Sequence, residues 1–115
     1  MGGFMQPQGH VQVLSNMLLH GMNPQEALDA PRFSIDVDRP TKPGRSDGGS
    51  SVLVEKDLGA DVIAALREKF GHNIQEVEGF KRTTFGRGQI ILRDPKTGVL
   101  CAGSDGRADG CAMGW

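Results

Sequence analysis

Two adjacent glycines, Gly2 and Gly3, stand directly in front of a stretch that reads as a helix, FMQPQGHVQVLSNMLLHG. With no Cβ to block approach, the backbone N–H groups of such a pair at a helix start can point together at an anion, and the helix dipole favours negative charge there. That is what an oxyanion hole requires: donors fixed where charge develops during acyl transfer. The same pair also suits a frayed end or a structural turn. Pattern alone leaves both readings open.

The other chemistry-bearing residues are less organised. His10, His20 and His72 are ten and fifty-two positions apart and have no ligand partner at metal spacing, so helix-end or surface roles are expected. Asp105 and Asp109 flank Arg107 in SDGRADG, which lacks the alternating oxygen ligands and terminal Glu of a calcium loop. A turn held by an Asp–Arg pair is expected instead. GRSDGGSS and FGRGQ lack the Lys-Ser/Thr ending and the strand–loop–helix setting of a phosphate loop. Thr83 and Thr84 lie inside the chain, whereas a threonine nucleophile of the N-terminal type needs its own free α-amine or a nearby base. They read as structural strand residues. Cys101 and Cys111 form neither a metal spacing nor a CxxC and read as reduced, semi-buried thiols.

Composition narrows the partners. The chain has 115 residues, the size of one modest domain, with 13 basic and 14 acidic side chains and a net charge of −1. That balance, with no basic run, argues against a nucleic-acid or membrane-surface partner. Glycine is abundant at 17 residues, about twice usual usage, which implies many tight turns and close backbone approaches.

The elements that must position these residues follow from periodicity. Pro7 suits a first helical turn, and Val11, Val13, Leu14, Met17, Leu18 and Leu19 form an apolar arc too wide for a surface helix. His20-Gly21 ends it. Such a helix needs burial on more than one side, yet the rest of the chain offers too little to cover it, so the chain alone should expose several large apolar side chains. A short second helix is marked by Asn23 as cap, Pro24 in the first turn and Glu26 three residues after the cap, with Pro31 as its stop. Residues 34–50 carry two prolines and three glycines and read as a long loop. SVLVE (51–55) reads as a strand. GADVIAALREKFGH reads as a helix, with Leu58, Val62, Ile63, Leu66 and Phe70 facing inward and Gly71 as its stop. NIQEVEGF is a weaker strand, and QIILRDPKTGVLCAGSD is a hairpin turning through 94–98. Trp115 reads as an aromatic end-stop. The mixture is α+β.

Taken in order, MGGFMQPQGHVQVLSNML, NPQEALDAPRF, VEKDL, FGRGQII and AGSDGRADGCAMGW resemble the C-terminal part of the γ-glutamyltransferases (γ-glutamyltranspeptidases) over essentially the whole chain. The loop at 34–50 is the weakest stretch, and the family more often has proline where Gly106 stands. The resemblance implies that residues 1–115 are a single, incomplete C-terminal segment of the small subunit, part of a four-layer αββα sandwich of the N-terminal nucleophile hydrolases. It implies a precursor that cleaves itself, an attacking threonine outside this chain, and no cofactor or metal. Its implied partners are the rest of the small subunit, the large subunit and a γ-glutamyl compound such as glutathione. Gly2 and Gly3 match the family's oxyanion glycines. Pro31-Arg32-Phe33 and Asp105 with Arg107 match recurrent positions that we read as structural. A β-lactam-type acylase of the same fold, or a non-catalytic remnant, are the alternatives.

Overall fold

The computed structural model describes residues 3–37 and 50–114. The chain divides into two compact units, Met1–Ala30 with Arg82–Trp115, and Pro31–Lys81. The second unit is therefore inserted into the first along the sequence. The α+β expectation holds in both.

In the inserted unit, strands β1 (Phe33–Val37), β2 (Ser50–Glu55) and β3 (Asn73–Val77) form one sheet in that order. β1 runs antiparallel to β2, and β2 parallel to β3. A parallel pair needs a crossover, and helix α3 (Ala60–Glu68) supplies it. Alternation along β2 turns Val52 and Val54 to the same face, where Val54 packs with Ile63 of α3 and Ile74 of β3, flanked by Leu58 and Leu66. Each fully buried side chain of this kind contributes roughly 1.5–3 kcal/mol. Arg67 ties the helix end to β3, donating to the Ile74 carbonyl at 3.4 Å and to Glu76 at 2.9 Å. Gly71, at φ +70°, closes the helix as expected.

Two expectations for this unit need correction. Val62 and Phe70 do not face inward. Both are exposed, and Phe70 instead stacks on His72 at 6.4 Å with the Lys69 ammonium 5.6 Å from its ring. The stretch 34–50 is not all loop, because its first residues belong to β1, paired from Phe33 opposite Val54 to Val37 opposite Ser50. The remainder, 38–49, lies outside the described residues, as does Trp115.

The first unit holds helices α1 (Gln6–Leu18) and α2 (Pro24–Asp29) and the hairpin of β4 (Gln89–Arg93) and β5 (Leu100–Ser104). The hairpin pairs from Gln89 opposite Ser104 to Arg93 opposite Leu100. Its turn is built by Asp94, whose Oδ1 accepts from the Lys96 and Thr97 amides at 2.7 and 3.0 Å. No residue of α1 is buried, and Leu18 and Leu19 are each 77% exposed. The expected apolar exposure of the first helix is present. Thr83 and Thr84 sit in a 3₁₀ helix, Gly79–Phe85, and not in a strand. Cys101 and Cys111 are free and exposed, where half-burial was expected.

Candidate functional site

Of the two glycines, Gly2 lies outside the described residues. Gly3 opens a 3₁₀ turn, Gly3–Met5, that runs directly into α1. Its φ of +46° belongs to the left-handed region, and a Cβ built on it meets nothing within 4 Å. Conformation, not space, demands glycine here. A left-handed residue followed by a right-handed turn brings successive N–H groups to one concave side, the backbone arrangement that receives anions. The first N–H groups of a helix also have no partner within the helix itself. Pro7 stands in the first turn, where its missing donor costs nothing, and Met5 is buried at 3% exposure.

Behind this turn, α1 packs on α2, and α2 packs on the hairpin. The start of α2 forms a capping box. The Asn23 side chain accepts from the Gln25 and Glu26 amides at 2.9 and 3.0 Å, while Glu26 reaches back to the Asn23 amide at 2.9 Å. Gln25 then treats β5 as a partner strand. Its Nε2 donates to the Ser104 carbonyl at 2.9 Å and its Oε1 accepts the Ser104 amide at 3.0 Å, with a further bond to Asp29. This approach is close enough that a Cβ on Gly103 would fall 2.8 Å from the Gln25 nitrogen.

The far end of α2 is held by the tail. Arg107 Nη1 donates to the Leu28 carbonyl at 2.7 Å and Nη2 to the Ala30 carbonyl at 3.1 Å, satisfying groups that a helix end leaves open. The same guanidinium pairs with Asp105 at 3.0 Å, both side chains buried. Asp105 also accepts the Gly88 and Arg107 amides at 2.8 and 3.0 Å, so its charge is met on several sides. The expected Asp–Arg turn is present, and it does more than close a turn. It joins two of the sequence motifs, EALDAP and SDGR, through their backbones.

Arg32 belongs to the other unit. Its backbone N–H donates to the buried Glu55 carboxylate at 2.9 Å, and its carbonyl accepts the Glu55 amide at the same distance. PRF and VEKDL are thus partners. His10, His20 and His72 are exposed. Among the described residues no three His, Cys, Asp or Glu are grouped to hold a metal ion. No helix among them is long and apolar enough to cross a membrane.

Sequence reasoning did not single out Gln25, Gly103 or Met5. For Gly103 a signal was present, because an isolated glycine in a strand marks close backbone approach. Nothing local distinguishes Gln25 or Met5.

Comparison with known proteins agrees with these motifs. The family model for gamma-glutamyltranspeptidase matches residues 1–115. The chain is 32% identical to the oxamate amidohydrolase proenzyme of Klebsiella pneumoniae, over all of the chain and 20% of that protein. It is 33% identical to the glutathione hydrolase-like YwrD proenzyme of Bacillus subtilis, over 98% of the chain and 20% of that protein. In structure it matches a cephalosporin acylase from Bacillus halodurans with a TM-score of 0.82 and 46% identity, covering all of the chain and 19% of the acylase chain. It therefore spans about a fifth of the length of these relatives. Matched along its entire length and sharing the α+β fold of N-terminal nucleophile hydrolases, the chain belongs to the γ-glutamyltranspeptidase family.

Proposed function

We propose that residues 1–115 are the C-terminal segment of the small subunit of a self-cleaving acyl-transfer enzyme, and that Gly2 and Gly3 supply backbone N–H groups to its oxyanion hole. The nucleophile is a threonine in a segment outside this chain. Its hydroxyl oxygen attacks the γ-glutamyl carbonyl while its proton passes to the threonine's own free α-amine and from there to the leaving amine, and the carbonyl oxygen takes up negative charge. Donors at the glycine turn stabilise that charge. Collapse of the tetrahedral species expels the amine, and water or an acceptor amine then takes the acyl group. The observation that carries this reading is the left-handed Gly3 at the head of a helix. A γ-glutamyl compound such as glutathione is the substrate under this reading, with the rest of the small subunit and the large subunit as partners.

A second reading keeps the acyl transfer and changes the substrate to the side-chain amide of a β-lactam. The 46% identity to the cephalosporin acylase favours it.

The test uses the full-length precursor with Gly3→Ala, scored per processed enzyme on a γ-glutamyl anilide and on an acylated cephalosporin. Alanine keeps its N–H but resists a φ of +46°, so the donor turns away from the oxyanion. Losing such a donor costs about 10²–10³ in kcat, and we expect that loss with a stability cost of only about 1–2 kcal/mol. A normal kcat with a large drop in melting temperature refutes the oxyanion role. Turnover of the cephalosporin alone selects the second reading.

A further inference from the structure

Asp105 is followed by Gly106, which makes the bond between them chemically fragile. With no Cβ on the second residue, its backbone nitrogen can reach the aspartate Cγ. The N–Cγ bond then forms, a Cγ–O bond breaks, and the hydroxyl leaves as water with the amide proton. Water reopens the resulting succinimide at either carbonyl. Opening at Cγ returns aspartate. Opening at the main-chain carbonyl carbon leaves isoaspartate, with the chain rerouted through the side chain. The sequence of steps needs no partner but water, yet it does need a neutral carboxyl and a side chain and backbone free to turn.

At Asp105 each of these is withheld. Oδ2 accepts the Gly88 amide at 2.8 Å, and Oδ1 accepts both the amide and Nη1 of Arg107 at 3.0 Å. These donors hold the charged carboxylate, which gives up an oxygen far less readily than the neutral acid. The backbone is fixed as well. The Asp105 amide donates to the Gly88 carbonyl at 3.2 Å, and the Asp105 carbonyl accepts the Ala108 amide at 3.0 Å. Arg107 is itself held by the Leu28 and Ala30 carbonyls. Every partner belongs to the unit of Met1–Ala30 with Arg82–Trp115.

We propose that Asp105 is a latent site of isoaspartate formation and that Arg107 keeps it closed. The ring can form only after Arg107 and Gly88 release the carboxylate. Once isoaspartate has formed, the carboxylate stands at the wrong carbon and the clasp cannot close again. A brief opening of the tail from the end of α2 is thereby made permanent. Releasing one partner of a buried ion pair is unfavourable by about 10²–10³-fold, and chemistry that waits for such an opening slows by the same factor. The glycine turn takes no part in either step.

The experiment ages the full-length, processed enzyme at neutral pH and reads isoaspartate by methyl transfer from labelled S-adenosylmethionine with a protein isoaspartyl methyltransferase. Trypsin cuts after Lys96 and Arg107, so Asp105 falls in the peptide 97–107 and a second Asp-Gly, at Asp109, in the next. In the folded parent, isoaspartate at 105 should form at least about 100-fold more slowly than in the same protein held in denaturing urea. Arg107→Lys keeps the charge but loses the fork that spans Asp105 and two carbonyls. Its rate at 105 should rise at least about tenfold, with the rate at 109 unchanged. Gly106→Pro has no amide proton to lose and should form none at 105. If Arg107→Lys does not accumulate folded, the parent in urea below its unfolding transition takes its place, and local opening should give a shallower rise than global unfolding does. A parent that isomerises at 105 as fast folded as unfolded overturns the proposal. So does an Arg107→Lys protein as protected as the parent, one in which both sites accelerate together, or a urea slope equal to that of global unfolding. Isoaspartate at 105 in Gly106→Pro overturns the chemistry.

Discussion

Replacing Gly103 with alanine should destabilise the protein by about 2–4 kcal/mol. The added Cβ would stand 2.8 Å from the Gln25 nitrogen, 2.8 Å from the Pro24 carbonyl carbon and 2.9 Å from the Pro24 oxygen. All three are backbone atoms, so no side chain can swing aside. To restore ordinary contact at 3.4 Å, the start of α2 must withdraw by about 0.6 Å, the difference between 3.4 and 2.8. That movement stretches both bonds between Gln25 and the Ser104 backbone, now 2.9 and 3.0 Å. Overpacking alone costs typically about 1–3 kcal/mol, and each strained hydrogen bond adds up to about 1 kcal/mol. The control is the same substitution at Gly9, within α1, where a Cβ meets nothing within 4 Å. There alanine should stabilise by about 0.5–1 kcal/mol through helix propensity. Denaturant melts of the two variants beside the parent decide the matter. A Gly103→Ala protein within about 0.5 kcal/mol of the parent, the size of an ordinary surface change, refutes the close-approach argument.

Two further outcomes follow from the turns. Gly106 is the second residue of a β-turn closed by the Ala108 amide on the Asp105 carbonyl at 3.0 Å, and a Cβ there meets only Asp29 Oδ1, at 3.9 Å. Proline favours that position, so Gly106→Pro should stabilise by about 0.4–1 kcal/mol, read as a shift in denaturation midpoint. The amides of Thr97 and Lys96 hold the Asp94 carboxyl below the ordinary aspartate range. A lowered folded value means its support for the turn is complete above that range and lost as pH falls through the lowered value. The Lys96 and Thr97 amide resonances should therefore titrate with a midpoint below that of a free aspartate, and a midpoint at or above it contradicts the turn geometry.

The legible parts of this fold are those whose causes lie close together in sequence. The capping box of α2 is written in Asn23 and Glu26, and the hairpin turn in Asp94 and its next few residues. β1 was legible too, because Phe33-Ser34-Ile35-Asp36-Val37 alternates with period two, but the prolines and glycines after it outweighed five residues. Val62 and Phe70 fit the helical arc and still face outward, because the short α3 buries only the stripe around Ile63. Periodicity says which residues share a face, not how wide the covering surface is. For the candidate site, the place of Gly3 at the head of a helix could be read from its neighbours. The Asp105–Arg107 pair is local and could be read too, but the bonds of Gln25 to Ser104 and of Arg107 to the α2 carbonyls could not, since those partners lie 79 and 77–79 residues away.

That separation has a consequence in time. During synthesis, α2 leaves the ribosome with its last carbonyls facing water, and Arg107 follows 77 residues after Ala30. At about 5–20 residues per second, the wait is about 4–15 s. Helix formation takes on the order of a microsecond and hairpin formation about ten, so both are over many times within that interval. The inserted unit, with its own sheet and helix, emerges whole while the first unit is still half made. Settling thus departs from chain order: the unit Pro31–Lys81 can settle first, and the residues before it settle only with Arg82–Trp115. A ribosome paused before residue 105 would hold a nascent chain in which the unit Pro31–Lys81 resists protease and residues 3–30 do not.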